Sequence, residues 1–432
     1  MAPSPSLLLT LLLMTTPLTT SHTTSPKTCT WTRHGSPYPL TSLSSGVCPP
    51  PTTSSPNPWS HPPHCPPPTN TAVGGDVPDD CVFTYSTFRN NQGVSLITTP
   101  ELAASVASYL DDTAVPLKFQ SHPSSPQAHP SIQNKKDDGY VVRSLPGRGK
   151  GVIAKRAYQK HEIVMVGYPT LLVRLDFLNG ERFSQKAQGD MLREAVARLP
   201  ESTRRDVLAL AKSTGGEPIR DAIRTNAFGI EIEGVNHMAL FVEGSRVNHG
   251  CRPNVFWRFS NRDMTMQVVA LREIRPGDEI VHSYAPLGYT MMERQQMLKP
   301  WGFQCSCEMC TASQNTIQAS DARRERLFEI HSTLSMAVKE STLAKERIDM
   351  IVREALALIE KEELDPQLVE YHQMFARAYM SVNEVKLARK HIKLADTKWT
   401  LYEGEEHSNI EGIKKLWQEV EELEEELAED ED

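Results

Sequence analysis

Three cysteines, Cys305, Cys307 and Cys310, stand in the pattern C-x-C-x2-C. They are too closely spaced for all three to be satisfied by disulfides, and well spaced to grip one metal ion. A structural zinc site takes four tetrahedral ligands, usually thiolates or imidazoles, so this cluster is one short. In the C-terminal two-thirds of the chain the one remaining cysteine is Cys251. Closing the tetrahedron requires Cys251 to fold against the cluster, which pins Asn248-His249-Gly250-Cys251 beside the tail. The plainer alternative is three unliganded thiols on a loop. Four thiolates would leave no coordination position open, so the implied metal is structural.

Two more groups lie in the same part of the chain. Gly147-Arg148-Gly149-Lys150-Gly151 places a basic residue between each pair of glycines, which lets a backbone approach a ligand closely. By itself it could be an ordinary turn, and it lacks the hydroxyl residue that a phosphate-binding loop sets after its lysine. Gly277-Asp278-Glu279-Ile280 leads to Ser283-Tyr284, and Trp301 and Phe303 precede the cysteine cluster. Tyr284 could equally be a plain core aromatic.

These residues need a scaffold. Short β-rich stretches occur at Tyr140–Arg143, Gly151–Ala154, His161–Val166, Pro169–Val173, Asn226–Phe241, Met266–Ala270 and Ile280–Val281. From Phe183 to Lys212 the period turns helical, with Met191, Leu192, Ala195, Val196 and Leu199 on one face, then Val207, Leu208 and Leu210. After Cys310 the chain reads as consecutive amphipathic helices: Arg324–Val338, Leu343–Glu360, Pro366–Ser381, Val385–Glu403 and Ile410–Leu427. Tyr371, Phe375, Ala378 and Tyr379 should face inward. A degenerate tetratricopeptide array and a plain helical bundle fit this pattern about equally.

The N-terminal part differs. Leu7 to Met14 is an apolar run too short to span a bilayer and of the length of a secretory signal core, followed by small and hydroxyl residues. Ser21 to about Asp80 is rich in Pro, Ser and Thr and cannot form a core of its own. It nevertheless leads through Cys29, Cys48, Cys65 and Cys81, for which two disulfides in an open pairing are expected over a second metal site. Thr99-Pro100 opens a helix over Glu101–Asp112, and a linker then runs to a domain boundary near Asp137. The net charge of −8 gives no general reason to bind nucleic acid, and the acidic run Glu421–Asp432 reads as a solvated end. No later stretch resembles a transmembrane helix.

Taken in order, Gly147–Gly151, Asn248-His249-x-Cys251-x-Pro253-Asn254, Gly277–Ile280 with Ser283-Tyr284, and Phe303-x-Cys305-x-Cys307-x2-Cys310 resemble a SET-domain protein lysine methyltransferase. Within that family the chain resembles the SMYD branch, without its cysteine-rich MYND zinc module, since no cysteine lies between Cys81 and Cys251. The resemblance implies an α+β chain: a SET fold of short β-sheets with a helical insert, a zinc-bound tail, and an all-α, TPR-like C-terminal domain. The expected divisions are a signal peptide at 1–20, a Pro/Ser/Thr-rich cysteine-containing region at 21–98, and a short helix and linker at 99–137. The SET domain follows at 138–290 with its insert at about 181–215, then the zinc segment at 291–312, helices at 320–427 and an acidic tail at 428–432.

By the same resemblance Tyr284 is the catalytic residue, and Arg148, Gly149, Lys150, Gly151, Asn248 and His249 bind S-adenosylmethionine, with Arg148 and Lys150 near its carboxylate. Trp301 and Phe303 wall the lysine channel, and Cys251, Cys305, Cys307 and Cys310 hold zinc. Gly250 departs from the serine common in this motif, and Trp301 from a tyrosine. The expected partner is a lysine-bearing protein, histone or not, with further protein partners on the C-terminal helices. The rival reading is a catalytically silent SET-fold interaction module, secreted or not. A signal peptide with disulfides points outward, whereas thiolate zinc and S-adenosylmethionine suit the reducing cytoplasm or nucleus.

Overall fold

The computed structural model describes residues 58–70, 80–110, 139–340, 343–404 and 410–429. The expected signal peptide, Cys29, Cys48 and most of the linker before residue 138 lie outside the described residues. Among those described, no helix is long and apolar enough to cross a membrane.

Among the described residues, three small sheets make the β part. The first has five strands in the order β1 (Cys81–Tyr85), β2 (Val94–Thr98), β6 (Leu171–Arg174), β8 (Val235–Leu240) and β7 (Phe228–Ile232). The second runs β10 (Val255–Ser260), β11 (Thr265–Ala270), β5 (Ile163–Gly167). The third runs β3 (Tyr140–Leu145), β4 (Gly149–Ala154), β12 (Glu279–His282), β9 (Asn248–His249).

The five-stranded sheet divides two cores, because successive side chains of a strand point to opposite faces. Leu96 and Leu172 enter the central core with Phe83, Phe241, Met266 and Ile280. Their neighbours Ile97, Leu171 and Val173 enter a second core against the helical insert. A strand covered on both faces is apolar throughout, and all five residues of β2 are buried. Ser95 Oγ donates to the Ala195 carbonyl at 2.7 Å, tying this strand to the insert.

The first sheet also crosses an expected division of the chain. The sequence separates 21–98 from a SET domain starting at 138, yet β2 pairs in parallel with β6, Ser95 opposite Leu171. Asp80 accepts two hydrogen bonds from Arg174, at 2.8 and 2.9 Å, just before β1. CVFTY and VSLIT, just past the Pro/Ser/Thr-rich stretch, share their cores with strands beyond the linker. A Cys65–Cys81 disulfide anchors the preceding segment to β1.

Two short segments lie around these strands: α1 (Phe88–Asn91), which is a left-handed turn over Arg89–Asn91, and the helix α2 (Pro100–Ala107). Thr99 caps the second, its hydroxyl accepting from the Leu102 N–H. The insert comprises α3 (Leu175–Asn179), α4 (Gln185–Ala197), α5 (Glu201–Leu208) and α6 (Pro218–Asn226). Met191, Leu192, Ala195, Val196, Leu199, Val207 and Leu210 are buried as the helical period predicts. Leu208 is not: it is 46% exposed, because Val207 and Leu210 already define the inward face and Leu208 lies off it.

After α7 (Met291–Leu298) the described residues form five helices: α8 (Gln314–Glu340), α9 (Lys345–Glu362), α10 (Leu368–Met380), α11 (Val385–Glu403) and α12 (Ile410–Glu429). Their core includes Tyr371, Phe375, Ala378 and Tyr379, the expected inward set. The helical unit rests on the second sheet, where Phe256 meets Tyr402 at 4.7 Å and Arg258 donates to the Leu401 carbonyl at 2.7 Å.

Within this unit His372 and His391 face each other, Nδ1 to Nδ1, at 3.0 Å, with Tyr379 stacked on His391. Burial lowers both to a pKa of about 4, and Lys390 adds repulsion to each. Both rings are therefore neutral when folded, while the unfolded chain takes up protons below pH 6.5. Stability contributed by this pair is present above pH 6.5 and is lost as the pH falls towards 4, by about 1.4 kcal/mol per pH unit for each proton. Urea unfolding at pH 7 and pH 5 should show a lower midpoint at pH 5, and a His372→Gln/His391→Gln double variant should show a smaller difference.

Candidate active site and metal centre

The site is assembled by a two-residue parallel pairing. Asn248 lies opposite Val281 and His249 opposite His282. So short a strand needs help, and Asn254 supplies it: its Nδ2 donates to the Glu279 carbonyl and its Oδ1 accepts from the Val281 N–H, both at 2.8 Å. The Gly250 N–H donates to the His282 carbonyl at 2.9 Å. A Cβ at Gly250 would lie 2.8 Å from Val281 Cγ2, so the departure from serine fits the close approach of these two strands.

The other edge of β12 meets β4, with Glu279 opposite Ile153. Glu279 joins the two neighbouring segments. Its Oε1 accepts from Asn248 Nδ2 at 2.9 Å, and its Oε2 lies 3.4 Å from Arg148 Nε. Arg148 Nη2 donates to the His249 carbonyl at 2.8 Å. The guanidinium expected at a cofactor carboxylate is thus engaged within the protein, and Lys150 is the exposed cation of this turn. Gly147 and Gly149 hold φ of +70° and +67°, and the space above Gly149 is open. Gly151 serves packing: a Cβ there would collide with Leu145 Cδ1 and lie 2.8 Å from Asn248 Nδ2.

The four cysteines converge as their spacing predicts, with all four sulfurs within 4.8 Å of one another. Cys251 Sγ lies 3.8 Å from Cys305 Sγ and 3.6 Å from Cys310 Sγ. Sulfurs about 2.3 Å from a central zinc sit about 3.8 Å apart, so the spacing suits one tetrahedral ion. Hydrogen bonds within the group pull the Cys251 thiol well below its usual range, while the hydrogen bond to Cys251 pushes Cys305 and Cys310 up. Thiols this close cannot all ionise without a cation. Gln295 on α7 fixes the tail, donating to the Cys305 carbonyl at 2.8 Å and accepting from its N–H at 2.9 Å.

His249 connects this cluster to Tyr284. Its Nδ1 accepts from the Tyr284 N–H at 3.0 Å, which assigns the ring proton to Nε2, and Nε2 lies 3.3 Å from Cys251 Sγ. The Tyr284 hydroxyl donates to the Val247 carbonyl at 3.1 Å. Around its ring stand His282 at 4.9 Å, His249 at 5.4 Å, Trp301 at 5.5 Å and Phe303 at 6.3 Å. Burial pushes the Tyr284 phenol up to about 12, with Arg148 opposing and Glu279 reinforcing the shift. Burial also lowers His282 to about 3, so it is neutral. Trp301 Nε1 donates to the Thr225 carbonyl at 3.1 Å, joining the aromatic group to α6.

Residues 149–285 match the SET domain family. The chain carries a SET domain. Among curated relatives, histone-lysine N-methyltransferase set5 of Schizosaccharomyces pombe is 30% identical over 45% of this chain and 58% of its own length. N-lysine methyltransferase SMYD2-A of Danio rerio is 33% identical over 28% of this chain and 26% of its own. SMYD2 of Homo sapiens is 35% identical over 21% of each. The chain thus spans less than two thirds of these relatives.

The SET domain brings Arg148, Asn248, His249 and Tyr284 together and gathers Trp301, Phe303 and the four cysteines beside them. The roles of Glu279, Asn254 and His282 were missed by sequence reasoning, although Glu279 and Asn254 lie in motifs already singled out. Their partners are 25 or more residues away or depend on strand pairing, so spacing carried no signal for them. A His249→Phe variant keeps a ring but leaves the Tyr284 N–H without its acceptor. It should lower stability by about 1–3 kcal/mol in denaturant unfolding, against little change for Phe328→Ala on the exposed face of α8.

Proposed function

We propose that this chain is an S-adenosylmethionine-dependent protein lysine N-methyltransferase that carries one structural zinc. The observation that carries the reading is Tyr284, its hydroxyl hydrogen-bonded to Val247 inside a group of aromatic rings beside the Arg148–Glu279–Asn248 cluster. The relatives named as lysine methyltransferases support the same reaction class.

Bound S-adenosylmethionine supplies a methyl group on a sulfonium. Everything else falls to this chain. In-line transfer needs an aligned, neutral amine more than a strong base. The Tyr284 phenol, at about 12, stays protonated near neutral pH. Its proton is directed to the Val247 carbonyl, which leaves the oxygen lone pairs to accept a hydrogen bond from a substrate amine. Trp301 and Phe303 would cover the aliphatic lysine stem, and removing water there disfavours the ammonium form. Gly149, with open space above it, Lys150 and the Asn248–His249 backbone are the residues to hold the cofactor, with Gly151 and Arg148 shaping the turn. The four thiolates suit zinc, a borderline-soft ion with a tetrahedral preference.

Calorimetric titration of the full chain with S-adenosylmethionine should give saturable binding for wild type and Tyr284→Phe alike. Transfer of labelled methyl to a lysine-bearing protein should fall about 100-fold or more in Tyr284→Phe. No cofactor binding by a folded, zinc-loaded wild type would overturn the proposal and leave an interaction module. Atomic spectrometry should find about one zinc per chain, lost in Cys305→Ala and retained in Cys65→Ala.

A further inference from the structure

Arg294 on α7 is 2% exposed, an unusual place for a guanidinium unless an anion faces it. The sulfurs of Cys251 and Cys310 are hydrogen-bond partners of its side chain. Its Nη1 donates to the Tyr289 carbonyl. Its Nε is buried with no hydrogen-bond partner among the described residues, and the residue lines a cavity of about 100 Å³ together with Arg252, Glu308, Met309, Asp321 and Arg323.

A second buried arginine reaches the same carbonyl from the helical unit. Arg324 Nη1 donates to Tyr289 O at 3.3 Å, and Nη2 lies 3.8 Å from Met309 Sδ, which packs against the cysteine cluster. Arg324 Nε donates to Glu362 Oε2 at 2.9 Å. Glu362, buried at the end of α9, also receives Ser320 Oγ at 2.6 Å and Arg323 Nε at 2.7 Å. Two buried guanidinium groups sharing one carbonyl repel each other. One glutamate cannot balance them.

The missing charge is in the cysteines. Four thiolates around a divalent ion leave two net negative charges, and the fully buried charged groups facing them are Arg294 and Arg324, with Glu362 as their one buried carboxylate. We propose that Arg294 and Arg324 are positioning residues for the metal: with Glu362 they form the buried counter-charge of the zinc tetrathiolate. Metal retention is thereby linked to the seating of α8 and α9. The inference rests on the zinc reading above, whose own test is the metal content of the wild type.

The experiment uses the full, zinc-loaded chain. Zinc is competed away with a chromogenic chelator in wild type, Arg294→Met and Arg294→Lys. Hydrogen exchange of α9 is followed in the wild type before and after chelation. Arg294→Met should hold zinc about 10- to 100-fold more weakly, as loss of a supporting residue around a metal does, and Arg294→Lys should recover most of that loss. Chelation should speed exchange in the last turns of α9, around Glu362. Equal zinc affinity in Arg294→Met, or equal losses in the Met and Lys variants, would overturn the proposal. So would α9 exchange indifferent to zinc, an arm that needs no variant to fold. A wild type without zinc would defeat the zinc reading and this inference together, whereas a zinc-loaded wild type with no such effects defeats this inference alone.

Discussion

The parallel contact between Asn248–His249 and Val281–His282 is the constraint on which the rest of the site depends. Two residues of strand contribute little by themselves, since fixing each costs roughly 1–2 kcal/mol of backbone entropy. The pairing holds because Asn254 hydrogen-bonds both sides of the β12 backbone and Gly250 permits close approach. One edge of β12 then presents Glu279 to Arg148 and Asn248. The other end presents Tyr284 to His249, and the next residues after His249 carry Cys251 into the cysteine cluster.

This arrangement places two chemically unlike environments a few ångströms apart. Around Tyr284 the surroundings are mostly aromatic, with the Arg148–Glu279 pair at their edge and His282 held neutral by burial. Around Cys251 they are highly charged, with thiols on one side and buried arginines on the other. His249 separates them while touching both, because an imidazole fixed in one tautomer accepts at one nitrogen and donates at the other. A group able only to donate, or only to accept, could not occupy that position with both bonds made.

The sheets explain why the site has a firm back. Strands β1 and β2 extend the first sheet, and the helical insert seals its outer face, so the central core behind the site is covered on every side that Phe83, Leu96 and Phe241 reach. Trp301 hydrogen-bonds to Thr225 at the end of that insert, and the tail therefore depends on the insert as well as on the cysteines. On the far side, α8 and α9 press the Arg324–Glu362 pair against Tyr289 and Met309.

By itself, the sequence determined the local and periodic features. These include the C-x-C-x2-C cluster and its need for Cys251, the glycine turn, the Thr99 cap, and the inward faces of the insert and of α10. Each follows from spacing within a few residues or from a ligand count, which a linear chain displays directly. Pairings across long stretches were decided only by the tertiary structure. Ser95 beside Leu171, Asn248 bonded to Glu279, Arg324 bonded to Glu362, and Arg148 turned inward all join residues separated by 31 or more positions. Nothing in composition or period fixes such partners, because buried polar groups choose whichever complementary group the packed backbone brings within reach. The same reason placed CVFTY and VSLIT in the main sheet: their apolar faces found a core on strands that lie beyond the linker.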